Sequence, residues 1–319
     1  MGMTALIALL LVAAVQWRAG QREAAAEEAY PPSGHLIDTG TTKVHAVVMG
    51  QGPDLVLIHG ASGSVRDYTF GFAQRMAETH RVILLDRPGL GWSERPPGYG
   101  GAFNNRAESP AVQAQILQQA ADKIGVINPI VMGSSYGGAV ALAWALERPS
   151  ETAALVLVAS VSNPWPSELD LLYRLNASLV GSALVIPMIT AFTPKRIIDQ
   201  TVESIFAPQS MPLGYLEHFG DGMTLRRSTM RANAQQVNTL LPHVIEMSQR
   251  YSSLPMPVEI VHGDADTIVP LHIHSEPLSR QIPGAKLTVL PGIGHMPHHA
   301  AADEVASAIL RAHARAGLR

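Results

Sequence analysis

There is no cysteine among the 319 residues. That excludes a disulfide framework, a thiol nucleophile, a cysteine-ligated zinc site and lipoprotein-type acylation. Charge is scarce as well. Asp, Glu, Lys and Arg make up 15% of the chain, against about 25% in an ordinary globular domain. With 47% hydrophobic residues, the composition excludes a disordered segment, which needs low hydrophobicity and high net charge, and argues against a coiled coil. A net charge of −3 offers no basic excess for nucleic acid. Although there are 13 histidines, no H-E-x-x-H pattern is present to make a zinc site of them. The length suits one large α/β domain with room for an insert or an anchor.

The first residues stand apart. Met1 to Trp17 carries no charged side chain, and its centre, Leu6 to Val15, is strongly apolar. Such a stretch sits at the short end of a membrane span, is longer than a usual signal core, and lacks the basic start of a signal peptide. A single N-terminal membrane anchor is therefore expected over residues 1–17. The alternatives are a cleaved signal, leaving a periplasmic or secreted protein, and a helix of the soluble domain. Arg18 and Arg22 follow the span and favour holding the rest in the cytoplasm, although two arginines do not fix the side. Residues 18–33, rich in Ala, Glu and Pro, read as a linker.

From Gly34 onward, short apolar runs end in small or polar residues. They are Val44–Met49, Asp54–Ile58, Arg81–Leu85, Ile130–Met132, Ala154–Val158, Val258–Val261 and Lys286–Leu290. Runs apolar on both faces suit a sheet covered by helices on both sides. Helical stretches are expected between them, at Val65–Glu78, Pro110–Ile124, Gly137–Arg148, His272–Gln281 and Ala302–Ala314. This alternation predicts an open, mostly parallel α/β sheet. Residues 161–255 break it. They hold several prolines, no clear strand and helix-like spacing at Leu171, Leu172, Leu175 and Leu179. A helical cap is expected there, over the sheet edge where such folds bind ligands, with the core at 34–160 and 256–319.

Gly133-Ser134-Ser135-Tyr136-Gly137 lies between an apolar strand and an apolar helix. In that context G-x-S-x-G is a nucleophile elbow. The turn is so sharp that the positions two before and two after the serine leave no room for a side chain. It lifts the serine Oγ above the sheet and aims the next N–H, that of Tyr136, at the same point. A serine hydroxyl needs an imidazole to take its proton and a carboxylate to orient that imidazole. Later in the chain, one strand is followed by Gly263-Asp264-Ala265-Asp266 and the next by Gly292-Ile293-Gly294-His295, in the chain order Ser, Asp, His.

At these residues the sequence resembles the α/β-hydrolase superfamily, over about Gly34 to Ala314. His59-Gly60-Ala61-Ser62-Gly63, Asp86-Arg87-Pro88-Gly89-Leu90-Gly91-Trp92-Ser93, the Ser135 elbow, and the Gly263-x-x-Asp266 and Gly294-His295 loops carry the resemblance. They look like the capped esterase, haloperoxidase-like and C–C hydrolase branch. The resemblance implies Asp266 as the acid, with Asp264 its rival, and His295 as the base, with His298 and His299 as surface-loop rivals. It also implies Ala61 as the second oxyanion-hole N–H beside Tyr136. Asp86 and Arg87 are read as holding a turn, Trp92 and Trp165 as pocket or packing residues, His262 as a packed loop residue, and His272 and His274 as helix-face residues. No cofactor or metal is called for. Serine at 135 excludes the aspartate-nucleophile dehalogenases and epoxide hydrolases of this fold.

The expected function is hydrolysis of hydrophobic carboxylic esters through an acyl-enzyme. His-Gly-Ala in place of a triple-glycine run favours ordinary acyl esters over those of tertiary alcohols. C–C bond hydrolysis, acyl transfer or perhydrolysis, and ligand binding without turnover all keep the same serine.

Overall fold

A computed structural model describes residues 2–101, 104–166 and 171–318. Eight strands form one sheet: β1 (His35–Asp38), β2 (Lys43–Met49), β3 (Asp54–Ile58), β4 (Arg81–Leu85), β5 (Ile130–Ser134), β6 (Ala154–Val158), β7 (Val258–Gly263) and β8 (Lys286–Leu290). Their order is β1-β2-β4-β3-β5-β6-β7-β8. The β1–β2 and β2–β4 pairs are antiparallel and all others are parallel. Every residue of β3, β5 and β6 is buried, as their unbroken apolar runs require. β8 closes the sheet at one edge and is only partly covered. The short β1 was not foreseen, because four residues, only Ile37 of them half-buried, give no alternation to read.

Helices α2 (Val65–Thr69), α3 (Phe72–Met76), α4 (Pro110–Lys123) and α5 (Tyr136–Glu147) follow β3, β4 and β5. The stretch expected as one helix from Val65 breaks into α2 and α3 at Gly71, whose φ of 115° is open to glycine and costly for other residues. Between β6 and β7 the chain is helical: α6 (Leu171–Ala177), a π-turn at Gly181–Val185, α7 (Ile186–Phe192), α8 (Lys195–Phe206), α9 (Tyr215–Phe219), α10 (Asp221–Thr224), α11 (Arg227–Asn238) and α12 (Leu240–Ser248). The chain closes with α13 (Ser275–Gln281), α14 (Pro297–Ala300) and α15 (Ala302–Arg315). Two apolar clusters cover the two faces of the sheet, one built on α4 and α5, the other on α2, α3 and α15.

Helix α1 runs unbroken from Met3 to Ala29, so residues 18–29 are helix and not the expected linker. Gln21 to Ala29 is Ala- and Glu-rich, a strongly helix-favouring composition, and the prolines begin only at Pro31. At the outer end Leu6, Ile7, Leu9, Leu10 and Leu11 are exposed. The inner half lies against α7 and α10, where Ala19 and Ala26 are buried. Arg18 and Arg22 donate to the carbonyls of Ala191 and Thr193 at the end of α7. Glu23 and Glu27 pair with Arg227 and Arg226 at 2.7 and 3.0 Å. α1 is long and apolar enough to cross a membrane.

Candidate active site

Ser135 sits between β5 and α5 with φ 51° and ψ −122°, a region that L-residues other than glycine occupy only under constraint. The constraint is steric. A Cβ on Gly133 would lie 2.2 Å from the Gly137 carbonyl oxygen, and one on Gly137 would lie 2.2 Å from that of Ile58. The Ser135 N–H donates to the Val158 carbonyl at 3.0 Å, which ties the elbow to β6. Gly60 abuts it: a Cβ there would approach the serine Oγ to 3.6 Å.

The three side chains singled out from the sequence meet at the C-terminal edge of the sheet. Ser135 Oγ donates to His295 Nε2 at 3.0 Å, and His295 Nδ1–H donates to Asp266 Oδ2 at 2.7 Å. Asp266 Oδ1 accepts the N–H groups of Ile268 and Val269, both at 2.9 Å. Burial would raise the Asp266 carboxyl. Hydrogen bonds from His262 and His295 outweigh it and hold the group below the usual carboxylate range. Asp264 does not reach the histidine. It is exposed and accepts the Gly292 N–H at 2.6 Å, pinning the β8 exit to the β7 exit.

The two backbone donors singled out from the sequence lie at the exits of β5 and β3. Tyr136 opens α5, and Ala61 follows Gly60 at the exit of β3. Among the described residues no acceptor pairs with either N–H. The Gly60 carbonyl, which shares its peptide with the Ala61 N–H, accepts from His59 Nδ1 at 2.9 Å and Arg87 Nη2 at 3.0 Å. Burial first, and the Arg87 charge second, lower His59 to about 4, so it is a neutral donor. Asp86 accepts from His45 and from the N–H groups of Val65 and Trp92, the turn-holding role expected of it. Arg87 does more than hold a turn, since its guanidinium also lies 4.2 Å over the Tyr136 ring.

Several residues were misjudged from sequence. His298 and His299 are not surface-loop histidines. His298 is buried, and their Nε2–H groups donate to the Asp67 carboxylate at 3.0 and 2.8 Å, joined by the Tyr215 hydroxyl at 2.7 Å. Burial opposes ionisation of Asp67, but these histidines hold it well below the carboxylate range. The three ligand atoms lie within 4.8 Å of one another, and each faces a proton donor or acceptor of the same cluster. His262 ends β7 with Nε2 2.8 Å from the Val269 carbonyl and 3.2 Å from Asp266 Oδ2, a second histidine on the acid. His274 precedes α13 and accepts the N–H groups of Ser162 and Asn163 on Nδ1, while His272 lies exposed in the preceding turn. Trp92 donates to the Tyr30 carbonyl at the end of α1, and the Trp165 ring lies tilted against that of His274, with centroids 6.0 Å apart. Asn233, Gln235 and Gln236 of α11 are buried amides, of which Asn233 reaches Ser62 and Gln236 reaches Arg87. The available signal was a helix too polar for a covering position.

Known proteins share this architecture. A pimeloyl-[acyl-carrier protein] methyl ester esterase of Vibrio campbellii is 28% identical over 272 residues, covering 81% of this chain and 93% of that protein. A 2-hydroxymuconate semialdehyde hydrolase of Pseudomonas putida is 28% identical over 252 residues, covering 77% and 82%. Among solved structures, the 2-hydroxy-6-oxo-6-phenylhexa-2,4-dienoate hydrolase of Rhodococcus sp. strain RHA1 superposes with a TM-score of 0.71 at 23% identity, covering 87% of this chain and 96% of that one. Residues 55–308, most of the chain, match the sequence profile of the alpha/beta hydrolase family, and the chain belongs to that family.

Proposed function

We propose that the protein is a serine hydrolase that cleaves hydrophobic carboxylic esters. The observation that carries this reading is the unbroken relay from Ser135 through His295 to Asp266, with bonds of 3.0 and 2.7 Å, on a serine held at the elbow. Ser135 Oγ attacks the ester carbonyl carbon while its proton passes to His295 Nε2. The N–H groups of Ala61 and Tyr136 receive the developing oxyanion, each worth roughly 3–4 kcal/mol of barrier lowering. The intermediate collapses as His295 returns the proton to the departing alcohol. A water deprotonated by His295 then releases the acid and restores Ser135. Asp266 keeps the Nδ1–H tautomer in place throughout.

The test is hydrolysis of p-nitrophenyl esters from acetate to palmitate by the full-length protein in detergent, beside Ser135→Ala. Turnover lost in the variant, with an optimum at medium or long chains, is expected. No turnover from folded parent overturns the reading. The Pseudomonas relative at 28% identity favours a second activity on the same residues, C–C bond hydrolysis of a vinylogous diketone, and such a substrate belongs in the same screen.

The reading extends to the membrane. The outer part of α1 is the anchor, and its inner half stays with the enzyme, because Arg18, Arg22, Glu23 and Glu27 are spent on the cap. A cleaved signal would strip those contacts. Co-flotation of full-length protein with liposomes is expected; wholly soluble protein of full length would refute it.

A further inference from the structure

We infer that the cap completes the oxyanion hole, with Asn233 of α11 as the positioning residue. The inference rests on the serine-hydrolase reading above. Ala61 is strung between two anchors. On its N-terminal side the Gly60 carbonyl is held by His59 and Arg87 of the core. On its C-terminal side stands Ser62, with φ 55°, a left-handed conformation that a serine seldom adopts.

Each polar group of Ser62 is bound by the cap. Its N–H donates to Asn233 Oδ1 at 2.7 Å, its Oγ accepts from Asn233 Nδ2 at 2.9 Å, and its carbonyl accepts from Thr224 Oγ1 at 2.9 Å. Asn233 is buried, and both ends of its amide are given to Ser62. One helical turn on, Gln236 Oε1 accepts from Arg87 Nη1 at 3.0 Å. The same helix thus touches both anchors of Ala61. A cap displaced far enough to lift α11 releases the Ala61–Ser62 peptide, so the cap governs the chemical step as well as access to it.

The full-length protein in detergent micelles tests this with p-nitrophenyl butyrate. Asn233→Ala is expected to lower kcat roughly ten- to hundredfold, the effect of a misplaced oxyanion donor, with KM within about threefold. The inhibition constant of a trifluoromethyl ketone should rise by a matching factor. That ketone captures the same geometry, since Ser135 Oγ adds to its carbonyl carbon, the proton goes to His295 and the oxygen becomes the oxyanion. Thr224→Val, which leaves the Asn233 bonds intact, should shift kcat the same way by less. Hydrogen exchange on the peptide covering residues 59–65 should quicken in Asn233→Ala, a readout independent of turnover. Folded Asn233→Ala with kcat within threefold of parent and unchanged exchange overturns the inference, as does a loss carried wholly by KM. If Asn233→Ala does not fold, Thr224→Val decides by the same criteria. Absence of any Ser135-dependent turnover in the parent sinks the serine-hydrolase reading instead, and the exchange measurement still judges the clasp.

Discussion

Arg87→Lys keeps a positive charge and removes a fork. The Arg87 guanidinium is fully buried and donates to the carbonyls of His59 and Gly60 and to the side-chain oxygens of Gln113 and Gln236, at 2.9–3.1 Å. Burial lowers the group to about 10 despite the neighbouring Tyr136, Glu108 and Asp86, so it is charged at neutral pH. A lysine ammonium is one point with three donors. It cannot meet acceptors arriving from the β3 exit, α4 and α11 together. Leaving two of the four unmet costs about 1–3 kcal/mol each, hence about 2–6 kcal/mol in total. A whole domain is stable by only about 5–15 kcal/mol. At about 2–4 °C per kcal/mol for a chain of this order of size, the melting temperature should drop by roughly 5–20 °C. Differential scanning calorimetry of the full-length protein in detergent measures it. A melting temperature within 2 °C of parent would show that the fork does not brace the loop, and would refute the reasoning.

Other perturbations are sharper in direction. Asp266→Asn leaves the fold intact but permits the wrong His295 tautomer, which in a Ser-His-Asp site costs kcat roughly 10⁴-fold; single-turnover kinetics retaining more than a tenth of parent activity would exclude Asp266 as the orienting acid. Gly137→Ala drives a methyl into the Ile58 carbonyl, so soluble, fully active protein would contradict the elbow's steric account. Stability should also fall on acidification. Burial, with Arg87, holds His59 at about 4, and burial, with His262, does the same to His274. Both are neutral in the fold and take a proton near 6.5 once unfolded. The unfolded chain therefore binds more protons between those values, and stability declines as pH drops from about 6.5 toward 4. For fully buried His59 the loss by pH 5 is about 2 kcal/mol, and urea midpoints identical at pH 7.5 and 5 would refute it.

What the sequence by itself determined is what short stretches can encode. Unbroken apolar runs at β3, β5 and β6 signalled a sheet covered on both faces. Gly133 signalled an elbow because its steric demand comes from the Gly137 backbone just beyond the serine, whereas the demand on Gly137 comes from Ile58 of β3. Ser135, Asp266 and His295 were legible because each follows a strand, and strand ends converge on one edge. Tertiary structure decided the rest. Asn233 meets Ser62 across 171 positions and His298 meets Asp67 across 231, distances no local pattern carries. α11 is polar by sequence and buried by fold, because its amides find partners in the distant residues Ser62, Arg87 and Arg95. The inner half of α1 likewise finds its polar partners at the end of α7 and at Arg226 and Arg227. A chain writes its periodicity locally, whereas the satisfaction of a buried polar group depends on which distant segment arrives beside it.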